Sequence, residues 1–352
     1  MMNLRHFLYA FVVCICIAAL SSCEHRILTD PTDVHYVRVY LDEDIKNVTY
    51  GFYNESHEHP EYQRPLTMLA CLADSQTGDV MSEGILKNQG KDARGNYIDG
   101  YVAAPSGEYS LLVYQLGSPL TLIKNTENYF SIQAYTPAVS DRVLAQLEYT
   151  SKVVDSQTIV QEPEHIMVSR YNGIHLNHSE RVDTLKTAEG DYFTARSIAK
   201  SYYLQLNVTG VRWVKSASAV LSGLSGSSLL CREEGMIETD PVNLYFSMRY
   251  NSSQKRSSNE DSVEALYATF TTFGKIPELT SELTLNFEFT KSDGSSQVES
   301  IDITEVFKTP PAIENQWLLL DKEITITKPI GGSGGMDPGV GGWKDEEADL
   351  PM

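Results

Sequence analysis

Apolar and polar residues alternate along most of the chain between residues 34 and 327, and this period of two constrains the fold more than any other feature. Such alternation predicts β-strands with one buried face, because successive side chains of a strand point to opposite sides. In the two clearest segments we expect the apolar set to face a core. These sets are Val242, Leu244, Phe246, Met248 and Tyr250 in one segment, and Leu283, Leu285, Phe287 and Phe289 in the other.

Further segments extend this pattern and are separated by turn-forming residues. Residues 66–73 are nearly all apolar, which predicts a strand covered on both faces. Helical periodicity is nearly absent, and residues 140–147 fit a short helix or a loop equally well. Many short strands with regular turns predict an all-β fold of the sandwich type. The turns are expected at 105–107, 116–119, 292–294 and 309–311.

The chain of 352 residues is long enough for about two domains, each with its own core. Residues 154–163 are polar with few strand signals, so we place the boundary near residue 165. The predicted organisation is a β-sandwich domain at 33–165 and a second one at 166–330. A Gly-rich, acidic tail follows at 331–352.

The N-terminus has the pattern of a bacterial lipoprotein signal peptide. Arg5 supplies a positive charge, and the apolar run at 7–20 is shorter than the ~20 residues that span a bilayer. Small residues precede Cys23 and fit cleavage there, so we predict removal of residues 1–22 and lipidation of Cys23 at the start of a tether at 23–32. The alternative is an ordinary secretory signal with an incidental cysteine.

Charge and cysteine content narrow the possible partners. A formal net charge of −19 argues against binding to nucleic acid and against electrostatic adsorption to anionic lipid. Membrane attachment must then come from acyl chains on Cys23, since two or three chains make release negligible. Cys71 and Cys231 lie in apolar contexts, which favours two buried free thiols over a disulfide.

No convincing catalytic or metal-binding constellation is present in the sequence. His57-Glu58-His59 and the pair His175 and His178 have metal-like spacing but no clear third ligand, which favours solvated loops. Ser222-Gly223 does not complete a nucleophile motif, and Asp293-Gly294 is most simply a hairpin turn. We therefore expect no cofactor, no metal and no enzymatic activity.

Five segments occur in a characteristic order along the chain: 22–26 (SCEHR), 104–114 (APSGEYSLLVY), 219–226 (AVLSGLSG), 269–274 (TFTTFG) and the Gly-rich acidic ending. In this order they resemble the fimbrium-associated anchor and minor-subunit lipoproteins of Bacteroidales. The resemblance implies two tandem transthyretin-like Greek-key β-sandwich domains. It also implies a lipid-anchored protein of the outer membrane that anchors, terminates or decorates a fimbrium at the cell surface.

In this family, fimbrial subunits are joined when an extended strand of one subunit fills a groove in its neighbour, which is β-strand complementation. Pilins open that groove by losing the N-terminal segment to a protease, whereas an anchor keeps its lipid. Arg26 and Arg38 are available basic residues, but we expect the lipidated segment to be retained. The acidic residues at 345–349 could not enter an apolar groove without a large desolvation cost, so the tail is not expected to act as a donor strand.

A surface glycan-binding lipoprotein is the alternative function. Sandwich domains of that kind present exposed aromatic rings to sugars, and the chain contains 20 tyrosines and 3 tryptophans. An exposed platform at Trp213, Trp317 or Trp343 would favour it. The alternation around Trp213 and Trp317 instead predicts burial.

Overall fold

A computed structural model describes residues 32–43, 64–144, 158–179, 181–233, 235, 241–250, 263–276 and 282–329. The predicted signal peptide, Cys23, His57-Glu58-His59 and the acidic tail lie outside these residues. Within the described part of the chain, no helix combines the length and the apolar character needed to cross a membrane.

The described residues form nineteen strands, two short α-helices and two single-turn 3₁₀-helices. The α-helices are Asp141–Leu144 and Pro310–Asn315, and the 3₁₀-helices are Val211–Trp213 and Val306–Lys308. The strands are β1 (Asp33–Leu41), β2 (Met68–Asp74), β3 (Val80–Asp92), β4 (Gly95–Ala104), β5 (Gly107–Gln115), β6 (Leu122–Lys124), β7 (Gln133–Tyr135), β8 (Ile159–Val160), β9 (Met167–Leu176), β10 (Asp183–Thr184), β11 (Phe193–Ser197), β12 (Lys200–Thr209), β13 (Val214–Leu224), β14 (Ser227–Leu229), β15 (Val242–Tyr250), β16 (Val263–Thr272), β17 (Thr284–Lys291), β18 (Ser296–Asp302) and β19 (Trp317–Thr325).

The first large sheet closes on itself. Its strand order is β10-β1-β11-β9-β5-β2-β3-β4, and β4 pairs again with β1. The inward side chains form one apolar cluster that includes Val37, Val39, Met68, Leu72 and Leu111. Closure leaves few free edges, because each strand of the ring has a neighbour on both sides.

The second large sheet has the order β18-β17-β13-β15-β16-β12-β19, and β8 pairs with β15 beside it. Six of its strands, β12, β13, β15, β16, β17 and β19, contribute side chains to a single buried cluster. Since one sheet surrounds one cluster, its two halves fold over each other as in a sandwich. Phe287 and Phe289 are fully buried in it.

A small third sheet joins the two halves of the chain. It has the order β14-β7-β6, so a strand that follows β13 pairs with strands that follow β5. A third apolar cluster lies at this junction and contains Cys71, Tyr114, Ile132, Leu230 and Phe273. The two large sheets therefore share buried surface.

The structure confirms the all-β class and most of the predicted inward faces. Leu244, Phe246, Met248, Leu285 and Phe287 are all buried. In β2 the two faces enter different apolar clusters, which confirms a strand covered on both sides. The predicted turn at 309–311 is wrong, because Pro310 starts a short helix, a position where its missing N–H costs nothing.

The predicted boundary near residue 165 does not coincide with the change of sheet, which lies between β11 and β12. After residue 165 the chain returns to the first sheet, where β9 pairs with β5 and β11 pairs with β1. β8, which lies within the polar segment at 154–163, already belongs to the second sheet. The division into two domains stays a prediction.

Both cysteines that follow the N-terminal segment are free, as predicted. Cys71 is fully buried, and its desolvation raises the pKa of the thiol to about 12. Cys231 is half-buried against the same junction cluster rather than fully buried. A thiol with so high a pKa is a poor nucleophile, so Cys71 is a packing residue.

Candidate interaction surfaces

Strand β1 is held on both of its edges. It pairs antiparallel with β4 over eight residue pairs, from Asp33 opposite Ala104 to Tyr40 opposite Tyr97. On its other side it pairs in parallel with β10 and β11. Its removal would open the closed sheet and expose the apolar cluster beneath it.

Arg38, one of the two basic residues available to a protease near the N-terminus, lies in the middle of β1. Its guanidinium carbon is 3.9 Å from the ring centroid of Tyr97. The guanidinium nitrogens lie 3.3 Å from Asp99 Oδ2 and 3.6 Å from Asp92 Oδ2, and the side chain is 22% exposed. Arg38 Nη2 donates to Tyr36 Oη at 2.8 Å, while Tyr36 donates to Asp99. Burial, together with this hydrogen bond to Asp99, raises the pKa of Tyr36 to about 12.

These contacts predict that native β1 resists proteolysis. A protease needs an extended, accessible backbone, whereas the backbone around Arg38 is paired on one side with β4. Under limited trypsin digestion we expect cleavage after Arg181, which is exposed in a loop, but not after Arg38. Mass spectrometry of the fragments checks this, and the same digestion after heat unfolding should cut both sites. Equal cleavage of both sites in the native chain would contradict the assignment of β1.

The outer strands of the second sheet, β18 and β19, lie close together without forming a ladder. Gln297 of β18 donates from Nε2 to the carbonyl oxygen of Thr325 at 2.9 Å and accepts from the N–H of Thr327 at 3.1 Å. Lys291 Nζ donates to Thr327 Oγ1 at 2.6 Å. Side chains thus bridge two strand edges whose outer backbone groups have no strand partner among the described residues.

Large apolar side chains are exposed on the outer face of the first sheet. Met81 and Ile85 of β3 and Tyr101 of β4 are each more than half exposed. Leu86 pairs with Gly100, which places Ile85 and Tyr101 side by side. Tyr101 also meets the edge of Tyr36, at 5.6 Å between ring centroids.

The two histidines with metal-like spacing make separate contacts. His175 Nε2 lies 3.1 Å from Asn177 Oδ1, whereas His178 Nδ1 lies 3.0 Å from Asp33 Oδ2. Among the described residues there is no group of three or more His, Cys, Asp or Glu side chains that could hold a metal ion. The structure therefore gives this pair no metal-binding arrangement.

The described tryptophans do not form a sugar platform. Trp213 and Trp317 are half-buried. The ring of Trp213 is covered by Arg212 at 4.3 Å and by Lys328 at 5.4 Å from its centroid. Trp343 lies outside the described residues.

Comparison with known proteins relates the chain to fimbrial proteins. A family model described as "Domain of unknown function (DUF5119)" matches residues 87–247. A Bacteroides ovatus protein named "Putative fimbrium anchoring subunit Fim4B" is 25% identical over 303 residues, which cover 74% of this chain and 82% of that protein. The resemblance to Bacteroidales fimbrial proteins is confirmed.

A solved structure shares the fold. The crystal structure of a protein described as a putative adhesin from Bacteroides ovatus matches with a TM-score of 0.56 at 21% identity. The match covers 85% of this chain and 94% of that one. The arrangement of the two large sheets is thus found in a solved protein of Bacteroides ovatus.

The first sheet also contains a cavity that the sequence does not predict. A cavity of about 410 Å³ lies between the end of β9 and residues 183–188, and we name it the β9–β10 slot. His35 of β1 lines it and is 2% exposed. Neither ring nitrogen of His35 has a hydrogen-bond partner among the described residues. No motif marks this residue, because it occupies an inward position of an ordinary alternating strand.

Proposed function

We propose that this chain is a non-enzymatic cell-surface subunit that anchors a fimbrium or serves it as an accessory subunit. The observation that carries the proposal is the similarity to the fimbrium anchoring subunit of Bacteroides ovatus, which extends over most of both chains. Such a role is structural and related to adhesion. It requires a stable fold, a point of attachment to the membrane and a surface that binds the neighbouring fimbrial subunit.

Lipidated Cys23 is the proposed point of attachment, at the outer membrane. The pairing of β1 supports it, because it protects the chain from cleavage after Arg38, which would separate Cys23 from the rest of the protein. In the native chain, pairing on both edges of β1 and the contacts of Arg38 oppose its removal. This is the property that distinguishes an anchor from a subunit that must open its groove.

The proposed surface for a neighbouring subunit is the pair of edges β18 and β19. A strand added there would pair with backbone groups that now lack a ladder, which is the physical basis of strand complementation. The exposed residues of β18 include Ser296, Val298 and Asp302. An edge strand with polar, apolar and charged side chains resists non-specific pairing with strands of other proteins.

Isolation of surface fibres from the parent cells tests the function. We expect the chain to co-purify with a fimbrial subunit, and mass spectrometry should find Cys23 acylated. Cys23→Ala should release the protein from the membrane fraction, whereas the matched variant Cys231→Ala should stay membrane-bound. A chain that is absent from the fibres but retained on a glycan resin would overturn the fimbrial role, and an unmodified Cys23 in the native protein would overturn the anchor.

A further inference from the structure

Four large apolar side chains lie together on the outer face of the first sheet, and we name this surface the outer apolar patch. Its members are Val34 of β1, Met81 and Ile85 of β3 and Tyr101 of β4, each at least 44% exposed. They are four of the eleven large apolar residues that are exposed in the described part of the chain, so such exposure is concentrated on three neighbouring strands. A cluster of this kind marks a surface that contacts a partner or a membrane.

The register of the sheet makes the patch continuous. Val34 pairs with Ala103, which is also exposed. Tyr36, the next outward residue of β1, pairs with Tyr101. Ile85 lies beside Tyr101 on the other side of β4. The patch therefore crosses β3, β4 and β1 without a break.

One acidic residue lies within the patch but is directed to its margin. Glu83 stands between Met81 and Ile85 on the same side of β3, and its Oε1 lies 3.8 Å from the Sγ of Cys71 on β2. Its carboxylate group therefore leans away from β4. Lys87 follows the patch along β3 and is exposed. A lysine stem can lie along an apolar surface while its ammonium group stays in a polar layer.

The patch lies where the chain enters the first sheet. Val34 is the second residue of β1, and Cys23 precedes Asp33, the first residue, by ten positions. Since an extended chain spans at most ~3.5 Å per residue, Cys23 is within about 35 Å of the start of β1. Acyl chains on Cys23 would hold the patch close to the lipid. A tether of this length gives an effective concentration in the millimolar range, so a weak contact suffices.

We propose that the outer apolar patch rests on the membrane surface and gives the lipid-anchored chain a second contact with the bilayer. Its aliphatic side chains enter the boundary between headgroups and acyl chains, where tyrosine rings are also enriched. The contact is hydrophobic, which agrees with a net charge of −19. This inference rests on the proposed lipidation of Cys23 and adds an orientation, in which β3, β4 and β1 face the membrane.

The size of the patch favours a membrane over a second protein. Its four large residues expose roughly 400 Å² together, about half of the ~800 Å² per partner that a stable protein interface buries. A membrane contact needs no such minimum, because the acyl chains already hold the protein at the bilayer.

The test uses the full-length acylated chain in phosphatidylcholine vesicles that contain a lipid brominated near the top of its acyl chains. Bromine quenches tryptophan fluorescence on contact. Tyr101→Trp places a tryptophan in the patch, and Ile313→Trp places one at an exposed position of the helix Pro310–Asn315. Relative to the parent chain, we expect the added tryptophan at 101 to be quenched roughly threefold more than the one at 313. About 0.5 M NaCl should not change this, because salt screens charges only.

A second substitution in the Tyr101→Trp chain tests the neighbouring side chains. Ile85→Ser should reduce the quenching about threefold, because it removes apolar surface from the contact. Ile313→Ser is the matched control and should leave the quenching unchanged, since Ile313 is 66% exposed far from the patch in sequence. Both isoleucines are exposed, so both variants should keep the parent melting temperature.

Equal quenching at 101 and 313 in an acylated chain would overturn the proposal, because a chain without a fixed orientation shows all its surfaces to the lipid alike. A dimer of the Cys23→Ala chain in lipid-free buffer that Ile85→Ser dissociates would also overturn it, since a second copy would then cover the patch. Mass spectrometry of Cys23 separates this contact from the proposed function. An unmodified Cys23 in the native protein would remove the anchor and the contact together, whereas the quenching result concerns the contact alone.

Discussion

Phe287→Asp is expected to unfold the second sheet or to lower its melting temperature by about 10–20 °C. Phe287 is fully buried and stacks on Phe289 at 6.0 Å between ring centroids. Truncation of a buried phenylalanine costs about 3–5 kcal/mol, and an unpaired carboxylate adds to that cost. Residue 287 also lies directly opposite Glu299 of β18, so the new charge would face a like charge. For domains of this size each kcal/mol lowers the melting temperature by about 2–4 °C.

Phe130→Asp is the matched control, because Phe130 is 49% exposed in a turn. The same chemical change at that position should cost less than about 1 kcal/mol. Thermal unfolding followed by circular dichroism compares the two variants. Similar melting temperatures for both would mean that Phe287 does not face the core.

The inward faces of the second sheet could be predicted because alternation reports which side chains share a face. It does not report whether the opposite face is covered as well. Asn243 and Glu288, at polar positions of two predicted strands, are only 1% and 3% exposed. Long-range packing against the outer face decides their burial, and no local pattern in the sequence contains that information.

The boundary was harder to predict because the strands that cross it are polar. β9 contains Ser169, Arg170, Asn172 and Gly173, and β11 contains only five residues. Apolar alternation is confined to Ile174 and Leu176 in β9 and to Phe193 and Ala195 in β11, which is too short to mark a strand locally. Their place is determined by pairing with β5 and β1, which are distant in sequence. The polar segment at 154–163 predicts a spacer for this reason, although the chain returns to the first sheet through β9 and β11 before it enters β12.

The β9–β10 slot shows the same limit for a cavity. His35, Val37 and Val39 share the inward face of β1, and the latter two pack in the apolar cluster as the pattern predicts. That the same face meets a cavity at His35 depends on the bulge at Gly173 and on the course of residues 183–188. Contacts between such distant segments are a tertiary property.

Glu162 belongs to a polar network at the junction of the large sheets, and its ionisation should weaken the fold. Glu162 Oε2 accepts from the N–H of Thr271 at 2.9 Å. Thr271 Oγ1 lies 2.8 Å from Ser201 Oγ, which lies 2.8 Å from His165 Nε2. Desolvation raises the pKa of Glu162 to about 7 although one hydrogen bond favours the charged form. The carboxyl group is therefore more easily ionised in the unfolded chain, where its pKa is about 4.5.

Below pH 4.5 both states are protonated and the raised pKa has no effect on stability. As pH rises from 4.5 to 7, the unfolded chain loses the proton first, so the free energy of unfolding falls, and the full loss is present above pH 7. Glu162→Gln cannot ionise and keeps an oxygen for the N–H of Thr271. Since one pKa unit corresponds to about 1.4 kcal/mol and Glu162 is only half-buried, we expect the variant to be about 2 kcal/mol more stable than the parent at pH 8 and equal to it at pH 4.

Urea unfolding at a series of pH values measures this difference. Burial also lowers the pKa of His165, but that residue titrates in both proteins and cancels in the comparison. Glu127→Gln makes the same chemical change at an exposed position and is the matched control. A gain from Glu162→Gln that is the same at pH 4 and pH 8 would have to come from packing, and it would exclude a buried ionisable group at this junction as its cause.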